Sequence, residues 1–221
     1  AILLLKSLDA EVLTIVLVSL KVSSSSTLIA SAVGIPVGFA IAFNEFPGKR
    51  ITVTILNTLL ALPTVAVGLF VYAFISRRGI FGPFDLLYTQ RGMVIGQVIL
   101  IIPIVTTFTI AAISRIDDRY RKSAMTLGAT TLQTAVVVFR EARFAIMAAV
   151  IASFGRVIAE VGISMMLGGN AKGFTRTMTT AMALEYDKGE FVLAIALGLI
   201  LLTISFSVNL FFNYLQGRAR L

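Results

Sequence analysis

Residues 114–143 read SRIDDRYRKSAMTLGATTLQTAVVVFREAR, and this charged stretch decides the architecture because almost everything on either side of it is apolar. Asp117 and Asp118 open a helical pattern, and Gly128 is placed to end it in a left-handed cap. Thr130, with Gln133 three residues on, has the form of a capping box for a second helix. Two short helices at an angle around Gly128 would present Ala124, Leu127 and Ala129 as a small apolar knob. Small residues let a partner surface approach closely, so the stretch reads as an organised docking element rather than a plain connector.

Outward from it the chain is built for lipid. Of its 221 residues 57% are hydrophobic and 14% charged, against about 45–50% apolar in soluble domains. A spanning helix needs about 20 mainly apolar residues, and such runs fall at about 12–43, 51–75, 93–114, 144–167 and 191–215. The expected fold is therefore all-α: one transmembrane domain over 1–221, a polytopic bundle of about five spanning helices, with the loop 115–143 on one side. The first run is longer than a bilayer requires. Its SSSS at 23–26 and GIPVG at 34–38 are expected to be a small-residue face packed on a neighbouring helix, with Pro36 kinking it.

Five spans put the termini on opposite sides. Lys49, Arg50, Arg115, Arg119, Arg121, Lys122, Arg140, Arg143, Arg218 and Arg220 lie on one side, and Lys6, Arg77, Arg78, Arg91, Lys172, Arg176 and Lys188 on the other. The excess of cationic residues marks the cytoplasm, so the expectation is an outside N-terminus, a cytoplasmic C-terminus and a cytoplasmic 115–143 loop. Trp is absent, and Tyr72, Tyr88, Tyr120, Tyr186 and Tyr214 supply the interfacial aromatics near span ends. The opening AILLLKSLDAE has only a short apolar run before Lys6 and is not expected to be a signal peptide.

Composition also excludes chemistry. With no Cys and no His, thiolate nucleophiles, the usual zinc sites and imidazole catalysis are out of reach. FPGKR at 46–50 lacks the first Gly and the hydroxyl residue of a phosphate-binding loop, so any ATP is expected on another chain. The net charge of +8 is spread over the gaps between apolar runs rather than gathered on a polar domain, which argues against a nucleic-acid partner.

GRVIAEVGISMMLGGN at 155–170 places Arg156 and Glu160 one turn apart within an apolar run, where an isolated charge costs at least roughly 2.5–3.5 kcal/mol at the bilayer centre. At i and i+4 they are expected to share a helix face and pair, either as a structural ion pair or as part of a pathway gate that changes partners. A carboxylate repels an anion, so Glu160 is not expected to bind an anionic substrate. Gly162 suggests close helix packing, and Gly168, Gly169 and Asn170 a helix end and turn. Beyond them Asn170, Thr175, Thr177, Thr179 and Thr180 with Lys172 and Arg176 form a donor-rich outer loop. Such a loop suits an oxyanion, or else is a solvated contact surface with a short interfacial helix.

KSAMTLGATTLQTAVVVFRE in the cytoplasmic loop resembles the E-A-A-x-x-x-G motif of ABC importer permease subunits, through Ala124, Leu127, Gly128 and Ala129. It departs at Lys122, where that family favours Glu, and at Arg140 and Glu141, where Leu-Pro is usual. NTLLALPTVAVGLFVY at 57–72 and SFGRVIAEVGISMMLGGN at 153–170 resemble segments of the molybdate, sulfate and tungstate permeases, and KGFTRTMTTAMALEYDKGEF at 172–191 looks most like the tungstate branch. The resemblance implies a type I importer permease in the cell membrane, with lipid around it. It further implies a homodimeric pathway, an external oxyanion-binding protein, and a cytoplasmic ATPase dimer that holds ATP and Mg, this chain carrying no cofactor and no catalytic residue. Ala124, Leu127, Gly128, Ala129, Thr130 and Gln133 would then couple to the ATPase, Arg156, Glu160 and Gly162 would lie at the pathway or gate, and Gly168, Gly169, Asn170, Thr175, Arg176, Thr177 and Thr179 in the outer loop. A molybdate or sulfate permease, or a secondary transporter or channel without an ATPase, remains the alternative.

Overall fold

The computed structural model describes residues 10–218, with the side chains of 212–213 and 215–218 left aside. Lys6 and Arg220, used above for orientation, and the opening segment at 1–9 lie outside the described residues. The described chain is helical: α1 (Ala10–Phe43), α2 (Lys49–Leu59), α3 (Thr64–Ile75), α4 (Gln90–Ser114), α5 (Asp118–Thr126), α6 (Thr131–Ile158), α7 (Gly162–Gly168), α8 (Met178–Asp187) and α9 (Phe191–Arg218), with a short 3-10 turn at Gly82–Phe84. By length and composition α1, α4 and α9 can each cross a membrane. Two further pairs pass together, α2 with α3 bent by 98° and α6 with α7 bent by 59°, which gives up to five spans.

The break between α2 and α3 follows from ALP at 61–63. The residue before a proline is pushed out of the helical region, and Pro63 has no N–H to donate back, so α2 ends and α3 restarts with Pro63 as its N-cap. The apolar run 51–75 is thus a bent pair of helices rather than a single continuous one. Pro36 and Pro103, by contrast, sit inside continuous helices. At the C-terminal end of α1, Lys49 Nζ donates to the carbonyls of Ala42 and Asn44, both at 3.1 Å, and pairs with Glu45 at 2.7 Å. A cation there meets the negative end of the helix.

The central packing is α1 along α4. Ser26 meets Gln97, Gly34 meets Val105 and Gly38 meets Thr109, a constant offset of 71 residues that makes the two helices parallel. A Cβ on Gly38 would lie 2.6 Å from the Thr106 carbonyl oxygen and 2.8 Å from Thr109 Cβ, so only glycine permits this approach. Ser23 and Ser26 are buried on the same side, as the small-residue reading of SSSS expects. Three apolar cores stack along the bundle. The largest joins Val22 of α1, Val71 of α3, Ile101 of α4 and Ile163 and Leu167 of α7. A second gathers Phe43, Ile113, Val138 and Ile146, and a third packs Ile15, Ile158, Met178 and Leu197.

Candidate functional site

The element at 115–143 is built by its caps. Asp117 Oδ1 accepts from the Arg119 N–H at 2.9 Å and starts α5. At the other end Gly128 takes φ +81°, the Gly128 N–H donates to Met125 O and the Ala129 N–H to Ala124 O, both at 3.0 Å. These two bonds form a Schellman motif, which absorbs the last carbonyls of α5. Thr130 and Gln133 then form a complete capping box at the start of α6. Leu127 is left 88% exposed at the tip, with Met125 exposed beside it and Ala124 and Ala129 half-buried. Arg121 holds α5 against the bundle: its guanidinium lies 4.7 Å from the Phe43 ring centroid and 3.5 Å from the Phe43 carbonyl oxygen.

One boundary differs from the sequence reading. The second helix is not short: α6 runs for 28 residues from the capping box, so 131–143 belongs to a rod continuous with the fourth apolar span. The charges of Arg140, Glu141 and Arg143 had marked that stretch as loop, but they extend a helix beyond the apolar layer rather than interrupt it.

Arg156 and Glu160 do not pair. α6 ends at Ile158 with Ala159 as its cap, so the two residues no longer share one helix face. Arg156 occupies the last turn of α6, where its charge meets the negative end of the helix, and its side chain is exposed. Glu160 is 4% exposed, and its Oε1 accepts from the Ile163 N–H at 3.1 Å, covering the first turn of α7. The break thus has one charge for each helix end it creates. Gly162 lies against α3: a Cβ there would meet Val65 Cγ2 at 3.0 Å and Thr64 Oγ1 at 3.2 Å. The two bent spans therefore touch where each is broken.

The turn after α7 is closed on itself. Gly169 (φ +67°) and Asn170 (φ +52°) turn the chain after α7, and a Cβ on Gly168 would strike Met93 Sδ at 2.6 Å. Thr175, Thr177, Thr179 and Thr180 are buried, contrary to the solvated, anion-facing loop that their composition suggests. Thr175 donates to Gly168 O, Thr177 and Thr180 cap α8, and Thr179 donates to the Glu160 carbonyl at 2.8 Å. Asn170 Nδ2 donates to Thr180 O, while Lys172 and Arg176 both pair with Glu11 of α1 at 2.7 and 3.4 Å. Most of these donors are engaged by the protein itself, though Arg176 Nε is buried without a hydrogen-bond partner among the described residues.

Two polar features inside spans escape a reading by charge runs and motifs. Gln97 is 1% exposed and joins three helices, accepting from Ser26 at 2.9 Å and reaching Ser164 Oγ of α7 at 3.5 Å. Lys21 lies eleven residues into α1 on a cavity between α1 and α4. The signal for each is one polar letter in an apolar run.

Known proteins match this arrangement along nearly its whole length. The chain is 40% identical over 213 residues to the tungstate uptake system permease protein TupB of Peptoclostridium acidaminophilum, covering 96% of this chain and 93% of that protein. It is 40% identical to TupB of Campylobacter jejuni, covering 95% and 87%. A bacterial alginate ABC transporter, solved with its periplasmic protein, shares the fold with a TM-score of 0.77 at 18% identity, over 96% of this chain and 80% of that one. The model of binding-protein-dependent transport system inner membrane components matches residues 34–221. The chain belongs to that family: it is a multi-pass inner-membrane permease subunit of an ABC importer, distinct from the ATPase that binds ATP and from the binding protein it works with.

Proposed function

We propose that this permease imports tungstate, and that two copies of the chain form its pathway with N-termini outside and C-termini in the cytoplasm. An external protein delivers the oxyanion, and ATP-driven approach of two ATPase subunits is passed to the bundle through Leu127 and the turn at Gly128. The observation that carries the substrate is the 40% identity to two tungstate permeases over almost the full chain. The coupling role is supported by a capped, rigid α5–α6 corner whose apolar tip is exposed on the same side as most of the basic residues.

The test is uptake of tungstate, molybdate and sulfate by proteoliposomes holding the permease, its ATPase and its binding protein. Uptake that requires all three components and ATP, with tungstate preferred, is the expected outcome. Preference for molybdate or sulfate moves the protein to another branch. Accumulation without the ATPase overturns the coupling role.

A further inference from the structure

Lys21 stands between TIVLVSL and VSSSS in α1, an exposed residue without a hydrogen-bond or ion-pair partner among the described residues. A lysine kept in an apolar helix without a partner marks a functional site more often than a packing one. Lys21 lines a cavity of about 800 Å³ together with Ser25, Asp85, Thr89, Gln90 and Arg91. The offset of 71 residues between α1 and α4 sets Lys21 level with Gly92, in the first turn of α4. Thr89 caps that turn by accepting from the Gly92 N–H at 3.1 Å, and the remaining first-turn N–H groups leave a positive helix end beside the cavity. Gln90 Nε2 donates to Phe174 O at 2.6 Å and fixes the rim to the outer turn.

Three sources of positive potential therefore converge: the Lys21 ammonium, the Arg91 guanidinium and the start of α4. One carboxylate, Asp85, opposes two cations. Much of the remaining wall is apolar, with Val22, Val94 and Ile95, and low-dielectric walls concentrate the field rather than screen it. Ser25 adds a hydroxyl that can donate to oxygen, whereas the Thr89 hydroxyl is committed to Leu86 O at 2.7 Å. Compact ammonium, forked guanidinium and hydroxyl donors together suit a tetrahedral oxyanion dianion.

We propose that Lys21, about three turns into α1, and Arg91, in the first turn of α4, form an anion-receiving site where a tetrahedral oxyanion first meets the membrane subunit. This rests on the reading of the protein as an oxyanion importer and deepens it: Lys172 and Arg176 of the outer turn are held by Glu11, whereas Lys21 and Arg91 are free to meet substrate.

The chain has no cysteine, so Lys21→Cys introduces a single thiol into it. The complete transporter is placed in proteoliposomes and treated from outside with membrane-impermeant methanethiosulfonates carrying either a trimethylammonium or a sulfonate group. Lys21→Cys is expected to slow tungstate uptake about tenfold at limiting substrate, the order of an electrostatic effect on capture. The cationic reagent should restore most of the rate, the anionic one should not, and excess tungstate should slow modification of the thiol. An unchanged rate in Lys21→Cys, or equal effects of the two reagents, overturns the site while leaving the importer reading intact. Wild-type liposomes that accumulate none of tungstate, molybdate or sulfate overturn the importer reading itself. If Lys21→Cys fails to assemble, Arg91→Cys carries the same test with the same outcomes.

Discussion

Arg156 and Glu160 look like an ion pair in the sequence and act as two separate helix-end groups in the structure. The two roles predict different variants. Glu160→Ala removes the acceptor for the Ile163 N–H and should lower stability by about 0.5–2 kcal/mol, the range for losing a cap. Glu160→Gln keeps an oxygen there and should lose less, while Arg156→Gln should cost no more than about 1 kcal/mol from the helix end. Thermal unfolding of the purified permease in lipid nanodiscs measures all three, and equal losses for Arg156→Gln and Glu160→Ala would restore the ion pair. Gly128 offers a second contrast. A Cβ there meets nothing within 4 Å, so its requirement is only the φ of +81°. Gly128→Val should strain the corner by about 1–2 kcal/mol and abolish substrate-stimulated ATP hydrolysis with expression and assembly intact. Gly128→Asn, which tolerates a left-handed backbone better, should retain most of it. Unchanged stimulation in Gly128→Val refutes the coupling assignment.

Among the elements, those defined by length and caps were legible, and those defined by breaks were only partly so. Apolar runs fall on the helices that are long and apolar enough to cross a bilayer, and Asp117, Gly128, Thr130 and Gln133 marked the α5–α6 corner because capping is chemically specific. The 98° bend at 60–63 was less visible: a proline inside an apolar run continues the helix at Pro36 and Pro103 but ends it at Pro63, and the sequence does not separate the cases. The outer threonines misled for a related reason. Hydroxyl content says that hydrogen bonds will be made, not whether water, ligand or the chain's own backbone receives them. The GIPVG reading was firmer, since small residues four apart have few uses other than close packing. Gly38→Val forces a side chain against the Thr106 carbonyl and should destabilise the bundle by about 1–3 kcal/mol. Unfolding in nanodiscs reads this directly, and a neutral result would mean that α1 and α4 separate at little cost.

For the whole molecule, orientation is the first property to test. The proposed topology puts the C-terminus in the cytoplasm, so a C-terminal green fluorescent protein fusion should be bright and an alkaline phosphatase fusion inactive. The reverse pattern would invert the molecule and move Leu127 away from any ATPase. Inside that topology, α6 has a consequence beyond packing. Its 28 residues make a rod about 42 Å long without an internal proline, anchored by a capping box at one end and ending at the Ile158–Gly162 break at the other. Such a rod bends little, so a tilt of about 10° about one end sweeps the opposite end through about 7 Å. The helix is interrupted only beyond its two ends, at the Gly128 turn and at residues 159–161. On the proposed coupling α6 is a lever arm, and the stroke a partner delivers at the Gly128 corner arrives magnified or diminished according to where along the rod the bundle places its pivot.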